Sequence, residues 1–473
     1  MNSLQSWQDQ PPLDLAIVGA GVAGLAAAHR ARQFGWRVGV VEAARAVGGK
    51  VRSERRDGYL VEHGPSCFDR SSKTIWQLLG ELGLESEVIT ARQPAYRYIY
   101  RDRAARRLPE HVAGLLAGDY MSMAGKLRML AEPLVLGDAR PDDTVWSFAC
   151  RRLGQEAAHY LVAPFVAALL AGDSRQLGAR DTFPTLWQWE RESGSMGLGA
   201  ALALGAEALP RDDTALGRYT LRDGLGSLPK ALAAALPELS VQLSAPVEHL
   251  QRRSDGVWQL VLHHAMADKY PPILAKRVIL TTPAKTTAEL LKTLAPLAAA
   301  TLADVTSARV AVVHLGGPDP HRVAPQGMGV AMVPGEGLRT LGILLPSSLF
   351  AGRAPAGHWL HTGMVGGAGD PEAVDLPDET LISLVRRAQE QAFGLSGARE
   401  LPVEFSAVMR WRDAIAQPRV GHSEAMQQVT ATVARELPGL ALAGSYMCSL
   451  GAEPAARAGL AAAESLFAAR AEA

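Results

Sequence analysis

Six residues near the start of the chain, Gly19-Ala20-Gly21-Val22-Ala23-Gly24, have the types and spacing to cradle a pyrophosphate. In such a turn the first glycine permits the sharp reversal. The second lets the backbone approach the phosphates, and the third lets helix and strand pack closely. The helix that follows would offer its unpaired N–H groups to the anion. Glu42 comes eighteen positions after Gly24 (42 − 24), where an acid can accept the hydroxyls of a ribose. A 2′-phosphate would be repelled there, which disfavours NADP. Arg45 and a second glycine turn, Gly48-Gly49-Lys50, follow at once.

No rival chemistry is visible. Cys67, Cys150 and Cys448 are few, odd in number and far apart, with no CxxC pair. They suggest neither a disulfide framework nor a zinc site, and a reducing compartment is expected. The twelve histidines are scattered, and His263-His264 lies on a predicted strand where neighbours face opposite ways. No metal site is expected, and there is no Ser-His-Asp arrangement or HExxH. Lys+Arg and Asp+Glu both number 48, so bulk charge does not favour a nucleic-acid partner. The polar start, Met1 to Pro12, has no secretory pattern, and the longest apolar run, Tyr160–Ala171, is too short to span a bilayer.

The elements that must position these residues can be read from periodicity. Leu13–Val18 is a short apolar run suited to a buried parallel strand, Val22–Phe34 reads as helix, and Arg37–Val41 is a second strand. Residues of about 110–205 are rich in Ala, Leu, Met and Trp at helical spacing. Strand texture returns at Val241–Leu243, Val257–His263 and Val278–Thr281, then at Ala308–Leu315, Leu341–Leu345 and Trp359–Met364. A helix is predicted between Asp378 and Phe393, and another over Ala455–Ala471. With 473 residues the chain needs two or three domains, and their textures interleave. The fold class is α/β: a Rossmann-type nucleotide-binding domain, a mixed-sheet substrate domain and a helical insertion. Residues 1–93, 215–300 and 411–473 are assigned to the first, 301–410 to the second and 94–214 to the insertion, which would face substrate and membrane.

The two glycine turns together resemble the extended FAD fingerprint of the flavin amine oxidase superfamily. Glu62-His63-Gly64-Pro65 resembles that family's segment beside the isoalloxazine, and Val247 resembles the valine whose backbone meets the adenine. Within the superfamily the pattern is most similar to protoporphyrinogen oxidases. Residues 164–196, PFVAALLAGDSRQLGARDTFPTLWQWERESGSM, resemble a segment of that branch in which Gly172 would lie against the substrate. Residues 219–228, Ser347-Ser348-Leu349-Phe350, Arg353-Ala354-Pro355, Gly366-Gly367, Arg410-Trp411, Gln417-Pro418 and Gly421-His422 follow in the branch's order.

The resemblance implies FAD held by Gly19, Gly21, Gly24, Glu42, Arg45, Gly48, Gly49, Gly64, Val247, Gly444 and Gly451. It implies that Arg97 pairs with a substrate propionate, a task suited to a planar guanidinium fork. Arg97 lies in the alternating strand Tyr96–Tyr100, which puts Arg97 and Ile99 on one face and three tyrosines on the other. Leu344, Met364 and Met332 are expected to line an apolar cleft. The implied reaction is oxidation of protoporphyrinogen IX or coproporphyrinogen III by O2, in porphyrin and heme biosynthesis, with no catalytic side chain identified. Two departures stand out: Ser445 and Ser449 replace the branch's Asn and Gly in the closing segment, and Met364 stands where an aromatic is frequent. They keep a second reading open, a related flavin oxidase or desaturase acting on an amine or a specialised pyrrolic metabolite. The expected location is cytoplasmic, with a peripheral contact on the inner face of a membrane and a homodimer both left open.

Overall fold

The computed structural model of the chain describes Trp7 and residues 11–109, 114–137, 139–204, 217–263, 271–447 and 451–471. Cys448 and Ser449, and with them part of the closing segment, lie outside the described residues, as does His264.

The short apolar runs near the N-terminus become the centre of a five-stranded parallel sheet. Its order is Val241–Gln242, Val38–Val41, Leu15–Val18, Val278–Leu280, Leu440–Leu442. Both faces are covered, so the strands are apolar throughout rather than alternating. Leu15, Ile17, Val38 and Val40 pack with the helices Val22–Gln33, Ser227–Ala234 and Ala452–Ala471. Ala16, Val18, Val278 and Leu280 face the other way, toward the antiparallel strands 247–275 and the helices Ala284–Leu291, Pro296–Ala303 and His422–Glu436. The helix Val22–Gln33 carries small residues on both buried flanks. At Gly459 of the final helix an added Cβ would sit 2.0 Å from the carbonyl oxygen of Ala23, so the two helices touch backbone to backbone.

A second sheet of seven strands has the order Phe405–Ala416, Ser307–Pro318, His358–Gly366, Thr340–Leu344, Gly329–Met332, Arg97–Arg101, Ala104–Arg107. Its last two strands come from the stretch assigned by texture to the helical insertion. Arg97–Arg101 adds parallel to Gly329–Met332, a pairing of distant segments that no local pattern announces. One face of this sheet is sealed by the amphipathic helix Asp378–Phe393, whose Leu381 and Val385 pack on Val313, Leu315 and Val365. The other face looks toward the nucleotide domain and the helical insertion.

The insertion holds a bent apolar segment. Ala158–Val162 is wound as a π-helix, Ala163–Leu170 continues as α-helix, and Ala171 ends it at φ 48°. That helix crosses the strand Thr340–Leu344 at Gly342, where an added Cβ would sit 3.0 Å from the Ala168 Cβ. Away from the sheet, Glu132 accepts hydrogen bonds from Arg152, from Ser195 Oγ and from the backbone N–H of Met196 and Gly197. Arg151 bridges Asp143 and Glu190. These pairs lock the helices of the insertion to one another without help from the sheet.

Candidate active site

The glycine turn stands where the strand order of the parallel sheet reverses. Leu15–Val18 is flanked by a strand that precedes Val278 in the chain on one side and by Val278–Leu280 on the other, and ligands of open α/β sheets gather at such switch points. Gly19 has φ 108°, a conformation open to glycine. Thr281, at the end of the adjacent strand, clamps it: Oγ1 donates to the carbonyls of Val18 and Gly19 at 2.9 and 3.0 Å. Sequence reasoning missed this threonine, because its partner is 262 residues away. Gly24 is required by packing, since a Cβ there would lie 2.0 Å from the Gly19 carbonyl oxygen.

Gly21 is different. Its φ is −72°, and a Cβ on it would meet nothing nearer than the Gly49 Cα at 4.0 Å. Among the described residues nothing demands glycine there, and the helix it opens has no side-chain cap. An open cradle beside uncapped N–H groups suits a phosphate group. Gly48 (φ 109°) and Gly49 (φ 57°) close the cradle from the opposite side, with Gly48 N–H donating to the Ala20 carbonyl at 2.8 Å. Glu42 reaches into the turn: Oε2 accepts from Ala20 N–H at 2.7 Å and Oε1 from Ala44 N–H at 2.8 Å. Its backbone carbonyl accepts from Ala245 N–H at 2.8 Å, which brings half-buried Val247 to the same end of the sheet. Arg45 is exposed on this loop.

The neighbouring segment is held from within. At Gly64 a Cβ would lie 2.0 Å from the Lys50 carbonyl oxygen, so the EHGP stretch and the second glycine turn are in backbone contact. Burial pushes the Lys50 ammonium pKa down, opposed by Asp413. Glu62 is buried, accepts from Ser53 Oγ at 2.6 Å and Leu225 N–H at 2.8 Å, and is pushed up to about 7 by desolvation. Gly444 abuts the Tyr446 ring and the Thr282 carbonyl, and Gly451 (φ 117°) leads into the final helix. Pro454 sits in that helix's first turn, where the N–H it lacks would have had no intrahelical partner. Glu453 beside it accepts from Thr74 and Ile75 N–H, capping the helix Lys73–Glu81.

Of the expected substrate residues, Arg97, Leu344 and Met364 fall on one face of the seven-stranded sheet. Register aligns Ala407, His314, Thr362, Leu344, Gly329 and Arg97 in one row. Met409, Val312, Met364, Gly342, Ala331 and Ile99 form the next row on the same face, two residues along each strand. Ile99 packs on Tyr120, Met121 and Ala157 of the insertion, and Met364 clusters with Ala171, Met409 and Trp411. Gly172, next to Ala171, comes within reach of the same wall through Gln417. Arg97 is half-buried at the edge of this face.

One expectation fails. Met332 pairs with Tyr100 and is buried with it against Ala388 and Ala392, on the opposite face. It is one residue out of step with Ala331, and in a strand one residue is a change of side. The arginines after Arg97 are mostly engaged: Arg101 lies 3.9 Å over the Tyr160 ring, Arg107 3.5 Å over Tyr96, and Arg106 pairs with Asp119.

A glycine-rich turn at a sheet switch point, together with a separate mixed sheet, is the arrangement expected of a dinucleotide-binding oxidoreductase. The description "Flavin containing amine oxidoreductase" matches residues 22–466. Human protoporphyrinogen oxidase is 32% identical over 470 residues, covering 91% of this chain and 93% of that protein. Coproporphyrinogen III oxidase of Bacillus subtilis (strain 168) is 27% identical over 457 residues, with 92% and 94% covered. A crystal structure from Exiguobacterium sp. 255-15, assigned provisionally as a protoporphyrinogen oxidase, superposes with a TM-score of 0.81 at 23% identity, covering 96% and 98%. The chain belongs to the flavin-containing amine oxidoreductase family, as a divergent member of its protoporphyrinogen oxidase branch. It is an FAD-dependent oxidase.

Proposed function

We propose that this oxidase acts on a reduced tetrapyrrole, protoporphyrinogen IX or coproporphyrinogen III, and that O2 is the final acceptor. The observation that carries the reading is the placement of Arg97, Leu344 and Met364 on one sheet face, in two adjoining rows. A large, apolar macrocycle bearing carboxylates fits a wall with aliphatic and thioether side chains in the middle and a guanidinium at one edge. The curated relatives, which are named for porphyrinogen oxidation, support the same substrate class.

FAD, when bound, supplies the two-electron hydride acceptor. Gly19, Gly21, Gly24, Glu42, Gly48 and Gly49 would hold its pyrophosphate and ribose, with Val247 near the adenine and Gly64, Gly444 and Gly451 lining the approach. The chain's own tasks are then binding and orientation. Arg97 fixes a propionate as a bidentate fork. Leu344 and Met364 exclude water and hold the ring plane, although a thioether fixes orientation less firmly than an aromatic would. Gly172 and the helix Ala163–Leu170, which packs on the same face at Gly342, bound the site on the insertion side. The division of the chain into residues 1–93, 215–300 and 411–473 for the cofactor, 301–410 for the substrate sheet and 94–214 for the insertion is part of this proposal, with the hairpin 97–107 serving the sheet.

Anaerobic mixing with a panel of reduced tetrapyrroles and amines, followed by flavin absorbance, tests the reading. Bleaching by a porphyrinogen and not by amines is expected. Bleaching by an amine alone would move the protein to the second reading given above.

A further inference from the structure

Two buried histidines, one beside the cradle and one in the Arg97 row, have no role in the binding scheme above. His63 and His314 are 4% and 0% exposed, and their rings meet edge to face with centroids 5.4 Å apart at 66°. Each has one nitrogen engaged. His63 Nε2 meets Glu54 Oε2 at 2.9 Å, and the Glu54 side chain is 52% exposed. His314 Nδ1 meets Thr362 Oγ1 at 3.0 Å. The other nitrogens, His63 Nδ1 and His314 Nε2, are buried with no hydrogen-bond partner among the described residues. An unsatisfied buried polar atom is destabilising, a cost that apolar side chains would avoid.

The order of these groups in space is informative. Glu54 is on the Ser53–Arg56 strand at the surface, and His63 is beside the EHGP segment, its carbonyl held by Trp411 Nε1 at 2.6 Å. His314 and Thr362 lie on neighbouring strands, in the same row as Leu344 and Arg97. Polar groups therefore run from solvent, across the boundary between nucleotide domain and sheet, to the face that would meet the substrate.

We propose that Glu54, His63, His314 and Thr362 form a proton relay between the substrate face of the sheet and solvent. This rests on the porphyrinogen reading. Loss of a hydride from a carbon bridging two pyrroles takes two electrons to the flavin and leaves a cation, which becomes neutral by releasing one pyrrole N–H proton. That proton is taken by Thr362 Oγ as the threonine's own proton passes to His314 Nδ1. The His314 Nε2 proton passes to His63 Nδ1, and the His63 Nε2 proton to Glu54. One proton enters, one leaves, and each imidazole ends neutral in the opposite tautomer, to be reset by ring rotation or reverse transfer. The relay requires rotation about a Cβ–Cγ bond that brings the two nitrogens into line, the rings being 5.4 Å apart centre to centre. Burial favours this use of His314, whose pKa is pushed down to about 3, because a neutral ring has one donor and one acceptor nitrogen.

The test uses the FAD-loaded protein. His314→Asn retains a polar group toward Thr362 and removes Nε2; His63→Gln retains one toward Glu54 and removes Nδ1. For both, kcat should fall about tenfold to a hundredfold with KM within about twofold, and the solvent deuterium isotope effect on flavin reduction should rise. Glu54→Gln should move the same way with an intact fold, since its side chain is half exposed. Wild-type rates and isotope effects in folded, flavin-replete His314→Asn would overturn the relay. Should that variant not fold, the same result in His63→Gln and Glu54→Gln would overturn it. Ring 15N spectra of the histidines give a readout free of turnover: the His314 Nε2 resonance should shift in His63→Gln, and an indifferent resonance counts against the relay. A wild-type protein inert to every tetrapyrrole would sink the substrate reading instead, leaving the spectra to judge the path.

Discussion

Gly21 and Gly49 face each other across the cradle proposed for the cofactor, with a Cβ on Gly21 placed 4.0 Å from the Gly49 Cα. The protein has room for a side chain at Gly21; a pyrophosphate there would not. Gly21→Val should therefore yield a folded chain with little or no FAD, read as flavin absorbance per protein and an unchanged circular dichroism spectrum. Gly24→Val is the contrast, since its Cβ would strike the Gly19 carbonyl at 2.0 Å and the fold itself should suffer. Normal flavin content in Gly21→Val would remove the cradle from this site.

Arg97→Ala should weaken a carboxylate-bearing substrate by about tenfold to a hundredfold, because a hydrogen bond to a charged group contributes roughly 1.5–3 kcal/mol. The loss should fall on KM, since a propionate is remote from the carbon being oxidised. Arg97→Lys should rescue only in part, a point charge being no fork. Neutral ester substrates should be nearly indifferent to the change. Equal losses for acid and ester would make Arg97 structural.

Glu62 gives a stability prediction with a definite sign. Its folded pKa, about 7, is above the ordinary carboxylate value of 4.5, so the folded state holds its proton more tightly than the unfolded chain. The contribution is fully present below pH 4.5 and is lost as pH rises through 7. Glu62→Gln keeps a neutral side chain and should flatten that part of the melting-temperature profile by the equivalent of a few kcal/mol. An unchanged slope between those limits would show that Glu62 ionises freely in the fold.

Exposed apolar side chains concentrate on the helical insertion. Met123 and Leu127 are each 55% exposed, Leu134 80%, Leu136 95% and Leu169 55%. No described helix is long and apolar enough to cross a membrane. Replacing Leu127, Leu134 and Leu136 together by Glu should cut sedimentation with lipid vesicles at least about tenfold, given about 1.5–3 kcal/mol per fully buried Leu. Vesicle binding untouched by the triple change would place the contact elsewhere. Loss of a dimer in the same variant would identify the patch as a subunit interface.

Much of the nucleotide domain was legible in the linear order of residues. The strand, the glycine turn, the helix and Glu42 occur within thirty positions, and each is specified by local sterics or by burial on both sides of a parallel sheet. Alternation alone put Arg97 and Ile99 on one side of their strand, and Asp378–Phe393 formed the helix that its pattern predicts. What tertiary structure alone decided were the pairings of distant segments. Arg97 meets Gly329 in register and the hairpin 97–107 joins a sheet built from residues 307–416, because backbone pairing of strands is blind to side-chain identity. Met332 changed sides for the same reason: strand periodicity says that neighbours alternate, not which parity faces the cleft. Thr281 and the meeting of His63 with His314 depend on contacts spanning about two hundred and fifty residues, and no local preference for threonine or histidine encodes them.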